Sequence, residues 1–132
     1  MKNIIIYWSG TGNTLSMAER LKNDLGCEAI DCDNANGVDL SQFDNIILGC
    51  PAMGDEELED SSFRPFYENA LASTVTNFAL FGSYGWGSGD WMEKWKDETE
   101  QNGKNVLATL IFNGDESACD DADYSNFVAS LN

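Results

Sequence analysis

Asn3-Ile4-Ile5-Ile6-Tyr7-Trp8-Ser9-Gly10-Thr11-Gly12-Asn13-Thr14-Leu15 passes from an unbroken apolar run, through small hydroxyl and glycine residues, into helical spacing. The consecutive apolar residues of Asn3 to Trp8 read as a strand buried on both faces, the mark of a parallel sheet. Leu15, Ala18, Leu21 and Leu25 then follow at intervals of three, three and four, which predicts a helix over Thr14 to Leu25 stopped by Gly26. A strand that turns through Ser-Gly-Thr-Gly-Asn-Thr into a helix is suited to an anion. Small residues let the backbone close around it, and up to four N–H groups at the helix start are unpaired. The hydroxyls of Ser9, Thr11 and Thr14 and the amide of Asn13 add donors. Lys2 and Arg20 are the only basic residues in the first 21, and neither lies in the loop. An anion here is held by dipoles rather than by an ion pair.

Outward from this stretch, apolar runs and helical patterns alternate. Strands are predicted over Cys27 to Cys32, Asn45 to Cys50, Val75 to Gly82 and Asn105 to Phe112. Helices are predicted over Phe63 to Leu71, over Asp90 to Asn102 with Trp91, Met92 and Trp95 on one side and Gly103 as its stop, and over Asp120 to Leu131. Five strands alternating with about four helices imply an α/β fold: a doubly wound, five-stranded parallel sheet with helices on both faces. At 132 residues and 42% hydrophobic content the chain is expected to form one domain over 1–132. No apolar run approaches the roughly 18 residues of a membrane span. Lys2, followed at once by a strand pattern, gives no sign of a signal peptide. Cys27, Cys32, Cys50 and Cys119 form no CxxC pair and read as reduced thiols of a cytoplasmic protein.

Seven basic against 23 acidic residues leave a net charge of −16. Such a surface repels nucleic acid and anionic membranes and steers basic protein partners towards it. The histidine count is zero, which removes the commonest general base and metal ligand. No Gly-Lys-Ser/Thr and no Cys-x5-Arg occurs, excluding a P-loop and a low-molecular-weight phosphatase. A receiver domain would want paired acids at the first strand's exit, where this chain has hydroxyls. The first loop alone does not name its ligand. Gly10-Thr11-Gly12 lacks the third glycine of a dinucleotide fingerprint, yet Asp31 and Asp33 fall near the distance expected of a ribose contact. Serine-glycine turns between strand and helix are also common without any ligand.

Two further strand exits narrow the reading. Cys50-Pro51-Ala52-Met53-Gly54-Asp55-Glu56-Glu57 places a polarisable thioether beside a glycine and a string of acids. Gly82-Ser83-Tyr84-Gly85-Trp86-Gly87-Ser88-Gly89 sets an aromatic pair among glycines, leaving the rings free to stack on a ligand. A phosphate cradle, a Met-Gly turn with an acceptor and a ring platform at neighbouring strand exits suit a flat, amphipathic, monophosphorylated ligand.

From Met1 to Asn132 the chain resembles the short-chain flavodoxins, through Tyr-Trp-Ser-Gly-Thr-Gly-Asn-Thr, Leu-Gly-Cys-Pro-Ala-Met-Gly-Asp-Glu and Leu-Phe-Gly-Ser-Tyr-Gly-Trp-Gly. The resemblance implies strand order 2-1-3-4-5 and FMN as cofactor. It assigns the phosphate to Ser9, Thr11, Asn13 and Thr14 with the backbone of Gly10 and Gly12, and sets Trp8 near the phosphate or ribityl chain. Met53 and Trp86 are implied to cover opposite faces of the isoalloxazine, with Glu56 accepting from its N3–H. In the family the Gly54–Asp55 peptide turns on one-electron reduction, so Gly54→Ala is expected to lower the semiquinone yield. Pro51, Ala52, Asp55, Ser83, Tyr84, Gly85 and Gly87 complete the implied contacts. Pro51 departs from the small polar residue expected in relatives and removes an N–H. Asn113, on the short loop after the fifth strand, could reach the ring.

The implied function is a low-potential one-electron carrier working between semiquinone and hydroquinone, without substrate turnover of its own. Each carboxylate about 12 Å from an anionic flavin costs roughly 1.4 kcal/mol at an effective dielectric of 20. That corresponds to about 60 mV for a one-electron couple before screening. The implied partners are redox enzymes with basic patches, met transiently by a monomer. The alternatives are an activator protein of the ribonucleotide reductase type and a small FMN-dependent reductase.

Overall fold

A computed structural model describes residues 2–53, 57–85 and 87–131. Five parallel strands, β1 (Asn3–Tyr7), β2 (Glu28–Asp31), β3 (Asn45–Gly49), β4 (Asn77–Tyr84) and β5 (Asn105–Asn113), form one sheet in the order β2-β1-β3-β4-β5. Helices α1 (Asn13–Leu25), α2 (Phe63–Leu71), α3 (Asp90–Gln101) and α4 (Asp121–Ala129) connect or follow them. The expected fold and order are both present.

The triple isoleucine of β1 shows why this strand is apolar throughout. Ile4 and Ile6 pack with α2 and α3 on one face, while Ile5 packs with α1 and α4 on the other. On the first face Phe63 and Tyr67, stacked on each other, both meet Trp95 edge to face, with ring centroids 5.6 Å apart for Phe63–Trp95 and 6.1 Å for Tyr67–Trp95. Such aromatic pairs add about 0.5–1.5 kcal/mol each beyond area burial.

Several boundaries differ from the sequence expectation. β2 ends at Asp31, because Asp31 accepts from the N–H of Asp33 and turns Cys32–Asn34 into a 3-10 helix. β4 runs on to Tyr84, since Ser83 and Tyr84 pair with Phe112 and Asn113 of β5. Ser83 and Tyr84 are therefore strand residues rather than loop residues. The first positions of four strands are asparagine and lie in register: Asn3 with Asn45, Asn45 with Asn77, and Asn77 with Asn105. Asn45 donates to Asn3 Oδ1 at 2.8 Å, and Asn3 donates to the carbonyl of Leu131 at 3.1 Å, tying the end of the chain to the sheet. No local periodicity announces such a row, because it exists only across strands.

Candidate functional site

The chain leaves β1 for β2 on one side and then places β3 on the other, so the loops after β1 and β3 diverge above the sheet. Doubly wound sheets bind ligands at such a divide, beyond the carboxyl ends of the strands. A cleft of about 300 Å³ opens there, between the exits of β1, β3, β4 and β5.

The loop after β1 is held by its own serine. Ser9 Oγ accepts from the N–H of Gly12 at 3.1 Å and of Leu15 at 3.2 Å, leaving its hydroxyl proton free to point elsewhere. Gly12 adopts φ 98°, a left-handed conformation that glycine takes without strain, and serves as the N-cap of α1 without a side-chain cap. Among the described residues the N–H groups of Thr11, Asn13 and Thr14 meet no acceptor. Gly10, Thr11 and Asn13 line the cleft, and the Trp8 ring crosses Gly10, where a Cβ would lie 3.0 Å from Trp8 Cη2. Thr14 stands apart. It is 1% exposed, and its hydroxyl lies 3.3 Å from Ser83 Oγ on β4. That contact joins the loop after β1 to the third exit, a link sequence spacing does not reveal.

Past β3, Cys50 donates to Phe81 at 3.1 Å and Ala52 donates to Ser83 at 2.9 Å, so the ladder with β4 continues beyond the strand. Pro51 sits between these two donors, where its missing N–H removes nothing from the ladder. Pro51, Ala52 and Met53 line the cleft, and Met53 is 38% exposed with its N–H on the carbonyl of Glu57 at 3.0 Å. Ser83, Tyr84, Gly85 and Asn113 line it from β4 and β5. The Tyr84 ring leans on Trp91 at 5.7 Å with planes tilted by 47°. Gly114, which the sequence reading did not single out, also lines the cleft, at φ 99° with its N–H on the carbonyl of Tyr84 at 3.2 Å. A glycine directly after Asn113 was the available signal. Ser9, Gly12 and Gly87 are not among the lining residues. Gly54, Asp55, Glu56 and Trp86 lie outside the described residues.

No charged side chain lines the cleft among the described residues. Arg20, the basic residue nearest in sequence, is turned away: it pairs with Glu116 at 3.3 Å and lies 3.7 Å over the Tyr124 ring. Glu59 lies on the segment between β3 and α2. Burial pushes the pKa of this carboxyl up, but the bonds it accepts from Ser61, Phe63 and Ser62 prevail and hold it below the ordinary value. The resulting stabilisation is fully present above the unfolded-state value of about 4.3 and disappears as pH falls through the lower folded-state value. Urea midpoints of the native chain and Glu59→Gln should therefore converge between about pH 5 and pH 3. A gap independent of pH would contradict this.

Other features offer less. A cleft of about 490 Å³ beside residues 35–41 and one of about 290 Å³ on β5 both lie away from the sheet's divide. Asp31, Cys32 and Asp33 form a group able to hold a metal ion, but Asp31 is occupied in capping its own turn. That capping also accounts for Asp31 without a ribose. Burial pushes the Cys32 and Cys50 thiols up to about 12, so neither presents a thiolate at neutral pH.

Residues 5–127 match the family model described as Flavodoxin. A flavodoxin of Megasphaera elsdenii is 47% identical over 116 residues, covering 83% of this chain and 84% of that protein. A flavodoxin of Clostridium beijerinckii is 37% identical over 137 residues, covering 96% and 99%. The solution structure of two-electron reduced Megasphaera elsdenii flavodoxin superposes with a TM-score of 0.87 at 39% identity over 98% of this chain and 99% of that one. A Fusobacterium nucleatum flavodoxin variant solved bound to flavin mononucleotide shares the fold, with a TM-score of 0.68 at 18% identity over 99% of this chain and 94% of that one.

Proposed function

The chain belongs to the flavodoxin family, and we propose that it is an FMN-dependent electron carrier whose cofactor occupies the cleft at the exits of β1, β3 and β4. The observation that carries this reading is the loop after β1: among the described residues, Ser9 keeps a free hydroxyl proton, the N–H groups of Thr11, Asn13 and Thr14 meet no acceptor, and no cation lines the cleft. Those donors suit a phosphate, and the Trp8, Ala52, Met53 and Tyr84 side chains beside them suit an apolar ring, so the residues present fit the cofactor. When bound, FMN supplies the ability to take up and release electrons one at a time.

The residues divide the work. Ser9, Thr11 and Asn13 would orient the phosphate with the backbone of Gly10, while Gly12, its N–H on Ser9 Oγ, shapes the turn. Thr14, engaged with Ser83, contributes its N–H and braces the loop against β4. Met53, which lines the cleft, would cover one side of the ring; for the other side and the polar edge the family resemblance offers Trp86, Gly54, Asp55 and Glu56, which lie outside the described residues. Tyr84, Gly85 and Asn113 close the cleft, with Pro51, Ala52 and Ser83 shaping its rim; Gly87 does not line it. The net charge of −16 disfavours adding further negative charge, which lowers the potential at which the protein accepts its last electron. The same charge suits transient docking by a monomer to redox enzymes that present a basic patch.

We read residues 1–132 as one cytoplasmic domain without substrate turnover. Among the described residues no helix is long and apolar enough to cross a membrane. The test is reconstitution with FMN followed by anaerobic stepwise reduction, watched by visible absorption. One FMN per chain and two resolved one-electron steps are expected. An apoprotein that refuses FMN, or a holoprotein that steadily oxidises a nicotinamide by itself, would sink the proposal.

A further inference from the structure

We propose that Glu59 is a positioning residue for the ring side of the cofactor cleft, holding Met53 in place from the amino end of α2; this rests on the flavodoxin reading of the site. Ser62, the N-cap of α2, makes no side-chain cap bond. Glu59 takes over that role. Glu59 is 7% exposed, and its carboxylate accepts from the N–H groups of Ser61 at 3.0 Å, Ser62 at 2.7 Å and Phe63 at 2.7 Å, and from the Ser61 hydroxyl. Its carbonyl accepts from the N–H of Arg64 at 3.0 Å. Pro65, next in the turn, has no N–H to satisfy. One residue thus answers every backbone N–H from Ser61 to Arg64.

From this anchor the chain runs back to the cleft. Leu58 is buried in the core with Phe63 and Phe66, and the carbonyl of Glu57 accepts from the N–H of Met53. On the other side Ala52 is bonded to Ser83 of β4. Met53 is therefore held from both directions, through Ala52 to the sheet and through Glu57, Leu58 and Glu59 to α2. A hydroxyl cap at Ser62 would answer only one of the N–H groups that Glu59 accepts from and would leave residues 57–59 without this anchor. Only a carboxylate reaching forward from residue 59 closes both.

The test compares the native chain with Glu59→Gln, which turns an amide N–H towards donors, and with the conservative Glu59→Asp. In the apoprotein, amide hydrogen exchange at Met53 should quicken at least tenfold in Glu59→Gln, while Cys50 and Ala52, on the ladder with β4, keep their rates. FMN and riboflavin affinities should fall by the same factor, about tenfold, because the phosphate loop is untouched. Glu59→Asp should recover part of both effects, and it carries the test by the same readouts if Glu59→Gln does not fold. Native Met53 exchange in both variants, or exchange that quickens equally at Cys50 and Ala52, would overturn the proposal. A native chain that refuses both flavins would overturn the family reading of the site, whereas Met53 exchange in the apoprotein decides the role of Glu59 by itself.

Discussion

Gly82→Ala should destabilise the fold by about 4 kcal/mol or more, or prevent folding outright. A Cβ at this position would lie 2.1 Å from the carbonyl oxygen of Cys50 and 3.0 Å from its carbon, with Trp91 Cζ2 at 3.1 Å closing another side. The obstructing atoms belong to backbone and cannot swing away. Relief requires moving the exit of β3 away from β4, which breaks the bonds from Cys50 to Phe81 and from Ala52 to Ser83 that bracket the contact. Each lost bond costs about 1 kcal/mol, more where a buried group is left unpaired. The same movement displaces Pro51, Ala52 and Met53 from the cleft. Gly85→Ala is the matched control, since nothing lies within 4 Å of its Cβ and its φ is not positive. Urea unfolding followed by tryptophan fluorescence reads both, and a loss under about 1 kcal/mol in Gly82→Ala would refute the account.

Ser9→Ala should weaken FMN binding by roughly 10- to 100-fold while leaving riboflavin affinity nearly unchanged. Ser9 Oγ shapes the loop by accepting from Gly12 and Leu15, and the same oxygen keeps a proton for the phosphate. A hydrogen bond to a charged group is worth about 1.5–3 kcal/mol, and among the described residues no Lys or Arg lines the cleft to share the load. Riboflavin lacks the phosphate and so isolates the effect. Flavin fluorescence quenching measures both affinities. An equal loss for the two ligands would mean that Ser9 acts on the ring or on the fold as a whole.

Much of this architecture was readable in the sequence. Ile4 to Ile6 announced a doubly buried strand, the spacing of Leu15, Ala18, Leu21 and Leu25 announced α1, and the structure places both accordingly. The small residues after β1 announced a tight loop with unpaired N–H groups, because that requirement is local, and the structure has both. Element ends were less legible. β2 stopped early because Asp31 capped a turn, and β4 ran long because β5 was there to pair with it. The site was legible as a set of loops but not as a set of contacts. Thr14 reads as one more phosphate hydroxyl until Ser83 is seen 3.3 Å away, and Glu59 reads as one acid among several until its four bonds are counted.

By itself the sequence determined which segments become strands and helices, which loop offers donors without a counter-charge, and how acidic the surface is. These depend on periodicity and residue type over a few positions. Only the tertiary structure decided that Ser9 accepts before it donates, that Pro51 falls where its missing N–H is harmless, and that Gly82 has a carbonyl pressed against it. Each of these depends on strand order and register, which bring together residues such as Thr14 and Ser83 that lie 69 positions apart. A local pattern carries no record of that distance.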